Sequence, residues 1–209
     1  MKFYEIPCDE IGYFREEYDF LSNFYPTKVL FDGIIYYNSE AAYQAQKCLQ
    51  QTDKEQFALL SADEAKRLGK KVEMRPDWDD VKFKIMKRVV YEKFTQNPTL
   101  AQDLLDTGDR ILKEGNYWKD LYWGVDLKTG EGENNLGKIL MSLRDYIRQK
   151  EYLMYPPVII LYQVRLMGYG SAIRTLHCQG VNVSLTLPMR HYSAEVVLTV
   201  RSIVQLVRN

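Results

Sequence analysis

The stretch at residues 38–47 (NSEAAYQAQK) restricts the fold most strongly, because it specifies a helix that begins directly after a turn. Asn38 or Ser39 can accept a hydrogen bond from the free N–H groups of the first helical turn. The three alanines of the stretch favour helix and occupy little space. Four polar side chains recur at helical spacing and therefore share one face: Glu40, Tyr43, Gln44 and Lys47.

This polar face has two interpretations. It can be a solvated stripe whose Glu–Lys pair contributes less than about 1 kcal/mol to stability. Alternatively, it holds a carboxylate and an amine at a fixed separation for chemistry. The choice depends on which other reactive groups the chain contains.

Residues 1–149 contain no histidine, since His177 and His191 both lie further along the chain. This excludes Ser-His-Asp triads and imidazole acid/base chemistry from that segment. The cysteines lack zinc-site spacing and do not form an even disulfide set: Cys8, Cys48 and Cys178. This cysteine pattern favours a reducing, cytoplasmic compartment.

The overall charge and hydropathy are those of an ordinary soluble protein. The net charge is zero, so no general attraction to nucleic acid is expected. The first residues do not resemble a signal peptide, and no apolar run approaches membrane-spanning length. We therefore expect no membrane association.

A change of composition near Lys150 predicts two segments. Residues 1–149 hold 26 of the 28 acidic and 22 of the 28 basic residues, whereas residues 150–209 have a net charge of +4 and no lysine after Lys150. The second segment contains β-branched runs typical of strands, at 158–166, 181–187 and 196–207. It can be an added strand module, a docking segment or sequence unrelated to the fold of the first domain.

Local signals in the first segment predict short strands near its start and a series of helices after them. Strands are expected at 2–6 and 28–31, the latter forming a hairpin with 34–37 through an Asp-Gly turn. Beyond the helix that begins at Ser39, the capping and terminating residues predict four more helices and a short strand, as follows: a helix from Ser61 to Gly69, one from Asp77 to about Gln96, one from Pro98 to Thr107, a strand at 109–114, and a last helix ending near Arg148.

The residues available in this domain suit one kind of chemistry. Carboxylates beside stacking aromatic rings can stabilise an oxocarbenium-like ribosyl cation and align a water molecule. A lysine on the same face could neutralise a phosphate. A partly desolvated lysine has a lowered pKa and could instead attack an opened sugar as a free amine.

Residues 4–147 contain short sequence blocks in a fixed order: 21–24 (LSNF), 31–33 (FDG), 37–40 (YNSE), 43–47 (YQAQK), 75–78 (RPDW), Met86, 93–94 (KF), 104–105 (LL), 107–108 (TG), Glu114, 122–124 (YWG), Gly132, Asn134, 136–137 (LG), 140–141 (LM) and Arg144. With these blocks the segment resembles the NADAR, or YbiA-like, N-glycosidases. Each block is weak evidence alone, whereas their shared order and spacing make the match specific.

The resemblance implies an α+β, mostly helical single domain that hydrolyses N-glycosidic bonds and needs no metal or other cofactor. Substrates of the family include ribosylamino-pyrimidine phosphates of early riboflavin synthesis and ADP-ribose attached to guanine bases, in small molecules or nucleic acid. Its members are associated with NAD and ADP-ribose metabolism. The alternatives are a non-catalytic module that binds ADP-ribose or a nucleotide, and an interaction protein whose functional part is residues 150–209.

The same resemblance implies specific site residues. Glu40 corresponds to the catalytic glutamate, Trp78 to a site tryptophan, and Lys47 to a helix lysine with a covalent or electrostatic role. Asp126 follows the Tyr-Trp-Gly block and is a third catalytic candidate, although Val125 and a longer loop depart from the family pattern. The remaining substrate-binding candidates are Arg75, Asn23, Phe24, Gln44, Trp123 and Asn134.

Overall fold

A computed structural model describes residues 9–154, 159–162, 174–178, 181–185 and 196–199. The chain divides into two units, Met1–Lys150 and Glu151–Asn209. In chain order the first unit begins with β1 (Glu10–Ile11), a 3-10 helix (Glu16–Leu21), β2 (Pro26–Phe31), β3 (Ile34–Asn38), α1 (Ser39–Ala45), α2 (Gln51–Glu55) and α3 (Ala62–Leu68). The chain continues with α4 (Trp78–Thr95), α5 (Pro98–Asp106), β4 (Ile111–Leu112), β5 (Gly115–Asn116), β6 (Val125–Asp126) and α6 (Asn135–Met154).

The β2–β3 hairpin confirms the prediction of an Asp-Gly turn. Asp32 and Gly33 both have positive φ, 48° and 82°. This left-handed pair matches the twist of a two-residue hairpin. Its strands pair in antiparallel register, with Val29 opposite Tyr36. Both side chains are buried, so the hairpin presents an apolar face to the core.

Helix α1 begins as predicted. It is short, and its polar residues are buried rather than solvated. The Asn38 side chain accepts a hydrogen bond of 2.7 Å from the backbone N–H of Ala41. The helix ends at Ala45, and every residue in it is buried. It packs against α3, α4 and the β2–β3 hairpin. Lys47 consequently lies just beyond the helix.

The helices predicted to begin near Ser61, Asp77 and Pro98 are confirmed as α3, α4 and α5, with one difference in capping. Ser61 and Glu64 form the expected capping box before α3, and Gly69 follows its end. Asp77 precedes α4 but makes no side-chain cap. Its carboxylate instead binds Arg75. Helix α5 begins with a proline in its first turn, as the sequence predicts.

Two short parallel pairs position the segment that follows α5. Strand β4 pairs with β1, and β5 pairs with β6. The Asn116 side chain, fully buried, closes the intervening loop by donating to the carbonyls of Asp120 and Val125. Helix α6 then extends to Met154, past the predicted end near Arg148.

The core of the first unit joins these elements. Large, fully buried side chains come from the 3-10 helix, the hairpin, the turn after α2, strand β4, and helices α4, α5 and α6: Leu21, Val29, Tyr36, Phe57, Val89, Val90, Phe94, Leu104, Leu112 and Leu140. Among the described residues, none of the helices has the length and apolar character required to cross a bilayer.

The second unit contains four described strands: β7 (Ile159–Tyr162), β8 (Arg174–Cys178), β9 (Val181–Leu185) and β10 (Val196–Thr199). Strand β7 pairs with β10 and β8 pairs with β9, both antiparallel. Three of these strands fall within the predicted β-branched runs, whereas β8 was not predicted. The strand predicted at residues 2–6 lies outside the described residues.

Candidate active site

A cavity of about 920 Å³ opens beside α1. Its walls come from the 3-10 helix and the loop after it, from α1, α3 and α4, and from residues 114–123. Six of the predicted site residues line it together with Lys47: Asn23, Phe24, Glu40, Gln44, Trp78 and Trp123. The volume lies in the upper part of the range for small-molecule sites.

Glu40 is a buried carboxylate in the wall of this cavity, with an exposed fraction of 7%. Its Oε1 accepts a hydrogen bond of 2.9 Å from Gln44 Nε2, one turn further along α1. Its backbone N–H donates to the carbonyl of Asn23. Burial raises the pKa of the Glu40 carboxyl, and the Gln44 bond and the charges of Lys66 and Lys47 partly oppose this rise.

Lys47 faces the same cavity from the end of α1. Its Nζ donates a hydrogen bond of 2.9 Å to the carbonyl of Gly69 and lies 5.7 Å from the centre of the Trp78 ring. Burial lowers the pKa of the Lys47 amine, against the opposing charge of Glu40. The arrangement places a held amine beside an aromatic wall.

That wall is a cluster of packed rings. Tyr43 and Trp78 have centroids 5.1 Å apart, and Tyr43 and Trp123 meet edge to face at 5.8 Å. Phe83 stacks on Trp123 at 6.4 Å. Trp78 is buried, with 6% of its surface exposed. The tilted rings form an apolar cavity wall, and both tryptophans also pack against the core.

Asn23 and Phe24 lie in the loop after the 3-10 helix, and the Asn23 carbonyl accepts from the backbone N–H of Glu40. The Asn23 amide contacts Met86 Sδ at 3.2 Å, and its Oδ1 has no hydrogen-bond partner among the described residues. Phe24 is partly exposed, and the ammonium of Lys66 lies 5.3 Å from its ring centre.

Three predicted residues are not among those that line the cavity: Arg75, Asp126 and Asn134. Arg75 makes a two-bond ion pair with Asp77, at 2.6 and 2.9 Å. Asp126 is buried, and its Oδ1 accepts from the Lys128 backbone N–H at 2.7 Å in a local turn.

Asn134 connects two loops through its side chain. Its Nδ2 donates to the Leu112 carbonyl at 2.8 Å, and its Oδ1 accepts from the Glu114 N–H at 3.1 Å. Each of the three residues therefore has an observed local role, and a direct role in catalysis or binding remains a prediction for them.

The structure adds cavity residues that the sequence interpretation did not select as site residues: Lys66, Glu114, Trp118 and Asp120. Burial raises the pKa of the Glu114 carboxyl to about 7, and the nearby carboxylate of Asp120 raises it further. Glu114 belongs to the blocks that carry the family resemblance, which was an available signal. No sequence signal selected Lys66 or Asp120, because lysine and aspartate are also common on ordinary surface helices and loops.

Comparison with known proteins gives consistent results. The NADAR domain matches residues 12–148. An N-glycosidase of Nostoc punctiforme is 37% identical over 139 residues, covering 64% of this chain and 88% of that protein. The N-glycosidase YbiA of Escherichia coli is 34% identical over 135 residues, covering 63% of this chain and 83% of that protein.

A structure and a larger protein extend this comparison. The NMR structure of E. coli YbiA superposes with a TM-score of 0.61 at 32% identity, covering 70% of this chain and 89% of that one. A riboflavin biosynthesis protein of Vibrio vulnificus is 40% identical over 138 residues, but this chain spans 37% of its length.

The α+β fold, the cavity and these relatives define an enzyme of the N-glycosidase class. The chain belongs to the NADAR family. The resemblance noted from ordered sequence blocks is thereby confirmed, as is the α+β fold that it implied. The relatives favour an enzyme over a module that only binds nucleotides.

Proposed function

We propose that this N-glycosidase hydrolyses the bond between ribose and a base in a phosphorylated N-riboside. The observation that carries the proposal is the buried Glu40 carboxylate in a cavity that also presents Lys47 and the Tyr43–Trp78–Trp123 rings. Rings of this kind stack on a flat base, and a carboxylate stabilises the cation that forms when the base departs.

Glu40 acts at the anomeric carbon of the ribose. As the bond from C1′ to the base nitrogen breaks, positive charge develops on the sugar ring, and the carboxylate lowers the energy of that state. The raised pKa of Glu40 also makes it a stronger base toward the attacking water. The Gln44 hydrogen bond holds the carboxylate in one orientation.

Lys47 assists at the sugar in one of two ways. As an ammonium it stabilises the negative charge of a phosphate or a developing alkoxide. As a free amine, favoured by its lowered pKa, it adds to C1′ of the ring-opened riboside. The C1′–N bond to the base then breaks, the base leaves with a proton, and the resulting imine on Lys47 is later hydrolysed by water. Borohydride reduction during turnover separates the two, since only the imine leaves a permanent adduct on Lys47 that mass spectrometry detects.

Two substrate groups fit the proposal. Ribosylamino-pyrimidine phosphates are supported by the names of the Vibrio protein and of a maize riboflavin biosynthesis protein that is 38% identical over 93 residues. ADP-ribose linked to guanine, free or in nucleic acid, shares the N-riboside and phosphate chemistry. Lys66 lines the cavity without an ion pair among the described residues, which supports phosphate binding there.

Product analysis by mass spectrometry against both substrate groups tests the proposal. We expect wild-type enzyme to release a free base and a ribose phosphate or ADP-ribose. Glu40→Gln keeps the shape and removes the charge, so turnover falls by at least about 100-fold. Glu55→Gln, the same change on an exposed residue of α2, serves as the matched control. Full activity in Glu40→Gln would contradict this mechanism.

A further inference from the structure

We propose that Glu114 is a second catalytic carboxyl group, which protonates the base as it leaves the sugar. The proposal rests on the N-glycosidase function proposed above. It assigns general-acid catalysis to a residue outside α1.

Glu114 has the placement that such a group needs. It lines the same cavity as Glu40, on the segment between β4 and β5. Its Oε2 is shielded from solvent and has no hydrogen-bond partner among the described residues. A buried carboxyl oxygen without a partner is costly for stability, so its retention beside a cavity indicates a ligand group that completes it.

The backbone around Glu114 is held on both sides. Its N–H donates to Asn134 Oδ1 at 3.1 Å, and its carbonyl accepts from the Val125 N–H at 2.9 Å. Gly124 lies so close that an added Cβ would be 2.0 Å from the Glu114 carbonyl oxygen and 3.0 Å from its Cγ. These contacts hold the Glu114 backbone and the base of its side chain against residues 124–125 and Asn134.

Burial, together with two neighbouring carboxylates, favours the protonated form of the Glu114 carboxyl group near neutral pH. Burial is the main cause of the raised pKa of about 7, and the carboxylates of Asp120 and Glu40 add to it. The ammonium groups of Lys66 and Lys93 act in the opposite direction. A pKa raised into this range suits a general acid that works near neutral pH.

The proposed step balances in atoms and electrons. The C1′–N bond breaks and its electron pair stays on the base nitrogen, which takes the proton from the Glu114 carboxyl. Water forms the new C1′–O bond and gives one proton to the Glu40 carboxylate. Transfer of that proton through solvent to Glu114 restores both groups. The net reaction consumes one water molecule and needs no oxidant or reductant.

The test compares two leaving groups on the same ribose phosphate, in wild-type enzyme and in Glu114→Gln. A purine or aminopyrimidine base needs protonation to leave, whereas nitrophenol does not. We expect Glu114→Gln to lose about 100-fold or more in kcat on the base substrate and less than about tenfold on the nitrophenyl substrate. Glu131→Gln, an exposed glutamate nearby, is the control.

The pH profile provides the second readout. Because the acid must carry its proton, wild-type kcat/KM falls as pH rises above about 7, and Glu114→Gln loses this limb. Equal losses of kcat on both substrates, or an unchanged pH profile in Glu114→Gln, would contradict the proposed role of Glu114 and leave the proposed N-glycosidase function intact. A wild-type enzyme that cleaves neither substrate would instead contradict the proposed N-glycosidase function. An unchanged thermal unfolding midpoint in Glu114→Gln excludes misfolding as the cause.

Discussion

The core of this domain contains a fully buried lysine, Lys93 of α4. Its Nζ donates to the carbonyls of Phe20, at 2.5 Å, and Ser22, at 2.7 Å. Burial lowers its pKa to about 7. The two bonds tie α4 to the segment that leads into Asn23 and Phe24. Lys93 thus supports the cavity wall without lining it.

Replacing Lys93 with Met should destabilise the protein and change its pH dependence. The change leaves two buried carbonyls without donors, at a cost of about 1–3 kcal/mol each. Between pH 7 and 10 the unfolded wild type binds a proton at Lys93 that the folded state has lost. Wild-type stability therefore gains about 1.4 kcal/mol per pH unit from this group.

The measurement is urea unfolding of both proteins at several pH values. In Lys93→Met we expect this contribution to be absent, so the stability gap between the two proteins widens as pH rises from 7 to 10. A gap that stays constant over this range would contradict the assigned titration of Lys93. Lys87→Met, an exposed lysine on the same helix, controls for the loss of surface charge.

At the scale of elements, the close packing of α1 against the end of α3 positions the carboxylate of Glu40, a candidate catalytic group. Gly69 allows this approach, since an added Cβ would lie 2.0 Å from Gln44 Oε1. Gln44 is the side chain that holds Glu40, and the Gly69 carbonyl holds Lys47. The end of α3 therefore controls two candidate catalytic groups of the neighbouring element.

Gly69→Ala should reduce activity more than stability. The backbone of Gly69 has φ of −62°, which alanine adopts without strain, so the thermal midpoint should change little. The new methyl group displaces the Gln44 amide and frees Glu40 to reorient. If the effect acts through Gln44, adding Gly69→Ala to Gln44→Ala produces no further loss in kcat/KM. Additive losses would show a separate cause.

Ser61→Ala tests the stability of α3 without touching the cavity wall. The serine accepts from the Glu64 N–H, and the Glu64 carboxylate accepts from the Ser61 N–H in return. Loss of this capping box should cost about 1 kcal/mol, measured by chemical unfolding. Since Ser61 does not line the main cavity, kcat of the folded enzyme should remain at the wild-type value.

At the scale of the whole molecule, the family match and the cavity occupy the first unit. The NADAR domain matches residues 12–148, and the cavity is lined by residues between Phe14 and Leu136. The predicted functional division between residues 1–149 and 150–209 is a separate proposal. It assigns the chemistry to the first part of the chain.

A chain that ends after Met154, where α6 ends, should fold and retain the activity of the full protein. It keeps every residue that lines the cavity and all of α6. Circular dichroism and kcat/KM on the active substrate provide the measurement. A folded but inactive truncated protein would place an essential group in residues 155–209.

The local structure and the family were determined by the sequence itself. Hairpin turns, caps and helix ends depend on neighbouring residues, so Asp32-Gly33, Ser61 and Pro98 predicted their elements correctly. The absence of histidine from residues 1–149 likewise restricted the available chemistry. The predicted side-chain cap by Asp77 was the exception, because the Asp77 carboxylate binds Arg75 instead of the free N–H groups at the start of α4.

Only the tertiary structure decided which polar residues meet in the cavity. Burial converted the Glu40 face from a solvated stripe into a cavity wall, and it brought Glu114 and Lys66 to the same space. The same folding engaged Asp126 in a local turn and Asn134 in a link between loops. Such outcomes depend on contacts between distant elements, and on the loss of water around each charge, which local sequence patterns do not encode.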